Sequence, residues 1–405
     1  MYVKEVNSMI VRENYLSKIR PFYNKNIIKV ITGIRRSGKS TLLIQIINEF
    51  KTNGINDERI IHLRFDEYSN RKLLDPNELS KYLNNRIIDN EKYYLFLDEI
   101  QEVEHFEKII NELNNKGNID IFITGSNSTM LASEFATFLT GRYVSFEVYP
   151  FSFKEFVEYK GNDNLETLFL EYINFGGFPQ TLIIEDQESK KNLLTDLYNS
   201  IVIRDIAERY NVRDISLLDS YLKYILNAMG SLFSATNISN YLKNEKRNVG
   251  RETLYNYKKY AEDVYFIYSV PRMDIQGKKI LQTNEKIYIN DQGFRGIFFN
   301  NEKDIEKILE NIVYFELLRR GYKVYIGNIN NKEIDFVAIK NEEKIYVQVT
   351  YILSLDKTIE REFGVFNEIN DHYTKYVIST DKFDMSRHGI KHLNIIDFLM
   401  SIDKL

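Results

Sequence analysis

The stretch Ile27–Phe50, IIKVITGIRRSGKSTLLIQIINEF, decides the fold of the first half of the chain. Ile27–Thr32 is a β-branched apolar run and predicts a buried strand. Gly33-Ile34-Arg35-Arg36-Ser37-Gly38-Lys39-Ser40 then fits G-x-x-x-x-G-K-[ST], and Thr41–Phe50 carries apolar residues at helical spacing. Strand, glycine loop and helix, in that order, are what phosphate binding needs. The glycines let backbone N–H groups wrap around phosphate oxygens, and the start of the helix adds positive potential. Lys39 is expected to reach the β- and γ-phosphates of ATP, and the Ser40 hydroxyl to ligand Mg²⁺, with Thr41 completing the loop.

Two further runs support this reading. YYLFLDEI (Tyr93–Ile100) is continuously apolar, as a strand covered on both faces should be, and it ends in Asp98-Glu99. Asp98 is expected at Mg²⁺ and Glu99 at the attacking water. IDIFITGSNS (Ile119–Ser128) is another buried strand, with Thr124, Ser126 and Asn127 at its C-terminal end, the ligand end of an open α/β sheet. Ser126 and Asn127 are the favoured γ-phosphate contacts, with plain turn residues as the alternative. Arg142 precedes the next strand. It reads either as a catalytic arginine reaching a phosphate, its own or a neighbouring subunit's, or as half of a structural ion pair.

These motifs resemble AAA-type ATPases. Together with LTGRYVSFEVYPFSFKEF, FGGFP, VIRDIAERY and the later ENIVYFELLRRGYKVYIG, EIDFVA and IYVQVTY, they resemble a bacterial and archaeal family of such ATPases. Its C-terminal part has no assigned function. The resemblance spans nearly the whole chain and implies nucleotide binding and hydrolysis.

The chain has 405 residues, 43% hydrophobic and 28% charged, so several domains are expected. It has no cysteine and a net charge of −4, so any nucleic-acid surface must be a local patch. Without a signal-like start or a long uncharged apolar stretch, a cytoplasmic protein with no membrane partner is expected.

The expected fold class is α/β in four parts. Residues 1–150 form a P-loop AAA-type parallel sheet and 151–212 a helical lid, broken at Phe175–Gln180 by two glycines and a proline. Residues 213–300 read as a winged helix, three helices and a hairpin. Tyr241–Tyr260 holds six Lys/Arg against Glu245 and Glu252. Lys246, Arg247, Arg251, Lys258 and Lys259 are candidate DNA contacts, with a protein-binding surface as the alternative. Residues 301–405 follow the layout of restriction-endonuclease-like folds. There Asp335 and Gln348 should face each other across a hairpin, with Glu310 as an outlying acid. A metal nuclease needs more anionic oxygens and a lysine, and Gln348 and Thr350 supply neither, so the domain is expected to be inactive. Three readings stay open: an ATPase controlling nucleic-acid binding, a nucleotide switch for a protein partner, and an ATP-regulated nuclease. Homo-oligomerisation is a further expectation.

Overall fold

The computed structural model describes residues 10–128, 141–161, 164–244, 246–277, 279–330 and 332–401. Glu245 and the Leu139-Thr140 pair quoted above lie outside them. The chain divides into two compact units, Met1–Tyr149 with Asp263–Tyr265, and Pro150–Glu262 with Phe266–Leu405.

In the first unit, strands β1 (Ile28–Thr32), β2 (Ile60–Arg64), β3 (Tyr93–Asp98), β4 (Ile119–Gly125) and β5 (Tyr143–Glu147) form a parallel sheet in the order β2-β3-β4-β1-β5. The apolar strands fit because both faces are covered. Val30, Leu95, Leu97 and Ile123 pack with Leu79 and Ile110 on one face. On the other, Ile31, Phe96 and Phe122 pack under Leu42, Ile46 and Phe50 of the helix Lys39–Thr52. Strand β4 lies between β1 and β3. The C-terminal ends of all three meet at one edge, where open α/β sheets bind ligands. Gly33 leaves β1 with φ of 137°, and a Cβ there would sit 2.2 Å from the Val148 carbonyl oxygen, so only glycine fits.

The second unit begins with helices Phe153–Lys160, Leu165–Phe175 and Gln187–Ser200, the last continuing as a π-helical stretch, Ile201–Glu208. Helices Ile215–Asn227, Ala235–Asn244 and Arg251–Asp263 follow, then a hairpin of β6 (Ile267–Asp274) and β7 (Lys279–Ile289). The hairpin corrects the expected division at residue 300. β6 pairs in parallel with β8 (Lys323–Ile329), so the hairpin extends the C-terminal sheet. That sheet continues through β9 (Lys332–Lys340), β10 (Glu343–Val349), β11 (Thr374–Ser379) and β12 (Lys391–Asn394), in the order β12-β11-β10-β9-β8-β6-β7. Local reading of 213–300 finds the helices and the hairpin but not the pairing of β6 with a strand some fifty residues later.

A buried polar knot closes the glycine turn. Asp291 accepts from the backbone N–H of Gly177 at 2.7 Å and of Gly293 at 2.8 Å. A Cβ at Gly176 would overlap the Asp291 carboxyl, and one at Gly177 would lie 2.1 Å from the Phe151 carbonyl oxygen. The two glycines are thus required by close approach.

Candidate functional site

The phosphate loop runs from Gly33 through Ile34, Arg35, Arg36 and Ser37 to Gly38, which caps the helix Lys39–Thr52 in a left-handed conformation. Ser40 and Thr41 lie in its first turn. The Lys39 ammonium folds back on its own loop, donating to the carbonyls of Gly33 at 3.1 Å and Ile34 at 3.2 Å. It also lies 3.7 Å from Glu99 Oε1.

At the end of β3, Asp98 is fully buried and Glu99 turns into the left-handed region, φ 55° and ψ 47°. Such a conformation is uncommon for a non-glycine residue and gathers at functional sites. Thr124 of β4 holds the pair together. Its hydroxyl accepts the Glu99 backbone N–H at 2.9 Å and donates to Asp98 Oδ1. Burial opposes ionisation of Glu99, but Lys39, Gln101, Arg35 and Ser126 outweigh it and hold the carboxyl below its usual range. Ser126 and Asn127 are both buried at this edge. Ser126 thus stands against Glu99, and Thr124, not favoured from the sequence, makes the bridging contacts.

This donor set fits a Mg²⁺-nucleotide. Asp98 Oδ2 and Ser37 Oγ are buried and without a hydrogen-bond partner, although Arg64 Nε stands 3.7 Å from Asp98 Oδ2. Two residues of this edge escaped the sequence reading. Arg64, at the end of β2, lies in register with Asp98. Arg12 is buried beneath the loop and donates to the carbonyls of Ser37 at 2.9 Å and Tyr149 at 3.0 Å. Neither belongs to a recognisable motif.

Arg142 requires a correction. Its carbonyl accepts the N–H of Ile28, the first residue of β1, which places it at the N-terminal edge of the parallel sheet. The phosphate loop leaves the opposite edge. The Arg142 guanidinium bonds Asn115 at 2.7 Å and Asn111 at 3.3 Å, so it does not serve the nucleotide of its own chain.

The candidate nucleic-acid residues separate into two groups. Arg251, Tyr255 and Lys259 are exposed and four residues apart, forming one stripe along the helix Arg251–Asp263. Lys246 is exposed as well. Lys258 is instead committed to Glu262 at 2.9 Å and Glu285 at 2.8 Å, and Arg247 to Ser216 at 2.8 Å. Burial works against the Lys258 charge, but Glu262 and Glu285 hold it above the usual lysine range.

In the C-terminal sheet, Asp335 and Gln348 do face each other. Gln348 Oε1 accepts the Asp335 N–H at 3.2 Å, and Asp335 Oδ2 accepts the Val349 N–H at 2.8 Å. Glu310, on the helix Ile305–Arg319, stands near enough to Asp335 for its charge to add to the burial that raises the Asp335 pKa. The expectation that no lysine is present fails. Lys286 of β7 lies 2.7 Å from Glu333 and 3.3 Å from Glu310, and Tyr288 donates to the same Glu310 oxygen at 3.1 Å. Spacing rules applied within one hairpin could not find a lysine on a strand from another predicted domain.

A family model described as an AAA domain matches residues 25–157, and one for a domain of unknown function, DUF8612, matches 166–305. An uncharacterized protein of Haemophilus influenzae is 37% identical over 400 residues, covering 97% of this chain and 99% of its own. An uncharacterized protein of Methanocaldococcus jannaschii is 36% identical over 364 residues, covering 85% and 78%. The chain belongs to the family of these two proteins. In this family the first unit has the fold of a P-loop AAA-type ATPase domain. A Walker-type ATPase of Pyrococcus abyssi aligns with 71% of this chain and 94% of its own at a TM-score of 0.51 and 16% identity, a likeness of fold. Among the described residues no helix is long and apolar enough to cross a membrane.

Proposed function

We propose that the protein binds and hydrolyses ATP with Mg²⁺, and that this cycle controls binding of duplex DNA along the Arg251–Tyr255–Lys259 stripe. The observation that carries the reading is the Thr124 bridge, which sets the left-handed Glu99 beside Lys39. When bound, the Mg²⁺-nucleotide would supply the phosphoanhydride and the divalent charge that neutralises it. Lys39 and the loop N–H groups would hold its phosphates, with Ser40 and Asp98 at the metal. Glu99 Oε1 is the acceptor for the proton of the attacking water. Held below its usual range by Lys39 and its other neighbours, the Glu99 carboxyl is ionised at neutral pH.

Within the first unit, the residues at and just after the end of the basic helix contact the nucleotide edge. The Ser128 N–H, one residue beyond Asn127, donates to the carbonyl of Asp263, the last residue of the basic helix, at 2.8 Å. Tyr265, itself at φ 59°, meets the hydroxyl of Thr32 just before Gly33. Both contacts touch strand ends at the nucleotide edge. A winged-helix use of the three helices and hairpin would then bring the stripe to a major groove. The test is ATP turnover with Glu99→Gln, which should bind ATP but not hydrolyse it. Normal turnover in that variant defeats the reading.

A further inference from the structure

The acidic site of the C-terminal sheet goes beyond the nucleotide reading and is independent of it. A restriction-endonuclease-like layout implies a divalent metal held by Glu310 and Asp335. The residues present do not fit one. Mg²⁺ takes oxygen ligands in a near-octahedral shell and gives up its waters reluctantly, so it needs several free anionic oxygens in one place. Here one oxygen of each acid is already engaged. Glu310 Oε2 takes both Lys286 and the Tyr288 hydroxyl, Glu333 Oε1 takes Lys286, and Asp335 Oδ2 takes the Val349 N–H. Among the described residues, no group of three or more acidic or histidine side chains is arranged to hold a metal ion.

We infer that the Lys286 ammonium is the resident cation of this site, neutralising Glu310 and Glu333 where a nuclease would place a metal. The lysine side chain is 7% exposed, so its charge is tethered and sheltered from bulk water. A divalent ion entering beside it would meet a fixed positive charge within a few ångströms in a poorly screened interior. Lys286 reaches the site from β7, although β6 and β8 stand between β7 and β9. It therefore ties the hairpin to the acids of the sheet. The fold keeps the geometry of a cleavage site while its own side chain excludes the metal that cleavage requires.

The test is Mn²⁺ binding to the full chain without nucleotide, followed by electron paramagnetic resonance, with Mn²⁺- and Mg²⁺-dependent nicking of DNA and RNA measured alongside. Wild type should show no Mn²⁺ site that Asp335→Asn removes. Lys286→Ala should gain a site that Lys286→Ala with Asp335→Asn loses again, whereas Lys286→Arg should stay closed. Should Lys286→Ala be unfolded in buffer, Mn²⁺ should refold it, and failure to do so overturns the inference. A wild-type Mn²⁺ site abolished by Asp335→Asn would overturn it as well. So would metal-dependent nicking by wild type that disappears in Lys286→Ala, which would make the lysine catalytic.

Discussion

The Thr124 hydroxyl accepts the Glu99 backbone N–H at 2.9 Å while donating to Asp98, so one side chain sets both acids of the nucleotide edge. Thr124→Val keeps the shape and removes the bridge. It leaves a half-buried N–H and a buried carboxyl oxygen each short of a partner, at about 1–3 kcal/mol for the buried oxygen. Turnover should fall by roughly 10- to 100-fold with little change in the KM for ATP, because Glu99 is misdirected and the phosphate loop is intact. Thr124→Ser should restore most of the rate. Equal losses in the serine and valine variants would show that the hydroxyl is not what matters.

Lys39 and Glu99 should separate binding from chemistry. Lys39→Ala should weaken ATP binding, measured by fluorescent nucleotide titration. Glu99→Gln should leave binding near wild type and slow hydrolysis by roughly 10²- to 10⁴-fold. Arg142→Ala should leave both nearly unchanged in the isolated chain, since its partners Asn111 and Asn115 lie at the far edge of the sheet. A large loss of turnover in Arg142→Ala that appears only when chains associate would mean that its guanidinium serves a neighbouring subunit.

What the sequence made legible follows from how local each signal is. The Ile27–Phe50 motif and the Asp98-Glu99 pair carry their function in adjacent residues, so composition and spacing reveal them. The parallel sheet is expected from the sequence, but the order β2-β3-β4-β1-β5 is not, because which strands pair is set by contacts between distant segments. Arg12, Arg64 and Lys286 act through contacts with residues 24 or more positions away, and nothing beside them in the chain announces it. Arg142 misled for the converse reason: it precedes a strand as a catalytic arginine could, but strand direction places it at the wrong end. Lys258 reads as a basic residue on an exposed helix until Glu285, on the facing hairpin, is brought beside it.

That distinction yields a differential test of the DNA reading. Duplex binding should weaken steeply between 50 and 200 mM salt, since each phosphate contact releases a counterion and contributes about −0.9 to the slope of log K against log salt. Reversing Arg251 and Lys259 together should shrink the slope by roughly 2 and weaken binding strongly. Lys258→Met should leave the slope unchanged, because Glu262 and Glu285 already hold that charge. Tyr255→Ala should reduce affinity without altering the slope. Binding that ignores salt and both charge reversals would move this surface to a protein partner.

Asp291 gives the second unit a pH dependence of predictable sign. Burial raises its pKa to about 6, although the N–H groups of Gly177 and Gly293 and the charge of Arg319 pull it down. The folded state thus holds the proton more tightly than the unfolded chain, whose value lies near 3.8. Stability from this group is full below about pH 4, is lost as pH rises toward 6, and then stays level, a change of roughly 3 kcal/mol at most. Asp291→Asn cannot titrate and sacrifices one of the two glycine contacts, since its amide nitrogen cannot accept a hydrogen bond. Urea unfolding of both proteins from pH 4 to 8 should therefore show wild type losing ground to Asp291→Asn between pH 4 and 6, with a constant difference above that. A difference that is flat across the range, or that grows in favour of wild type as pH rises, would mean that Asp291 is ionised in the folded protein and that the glycine N–H groups outweigh its burial.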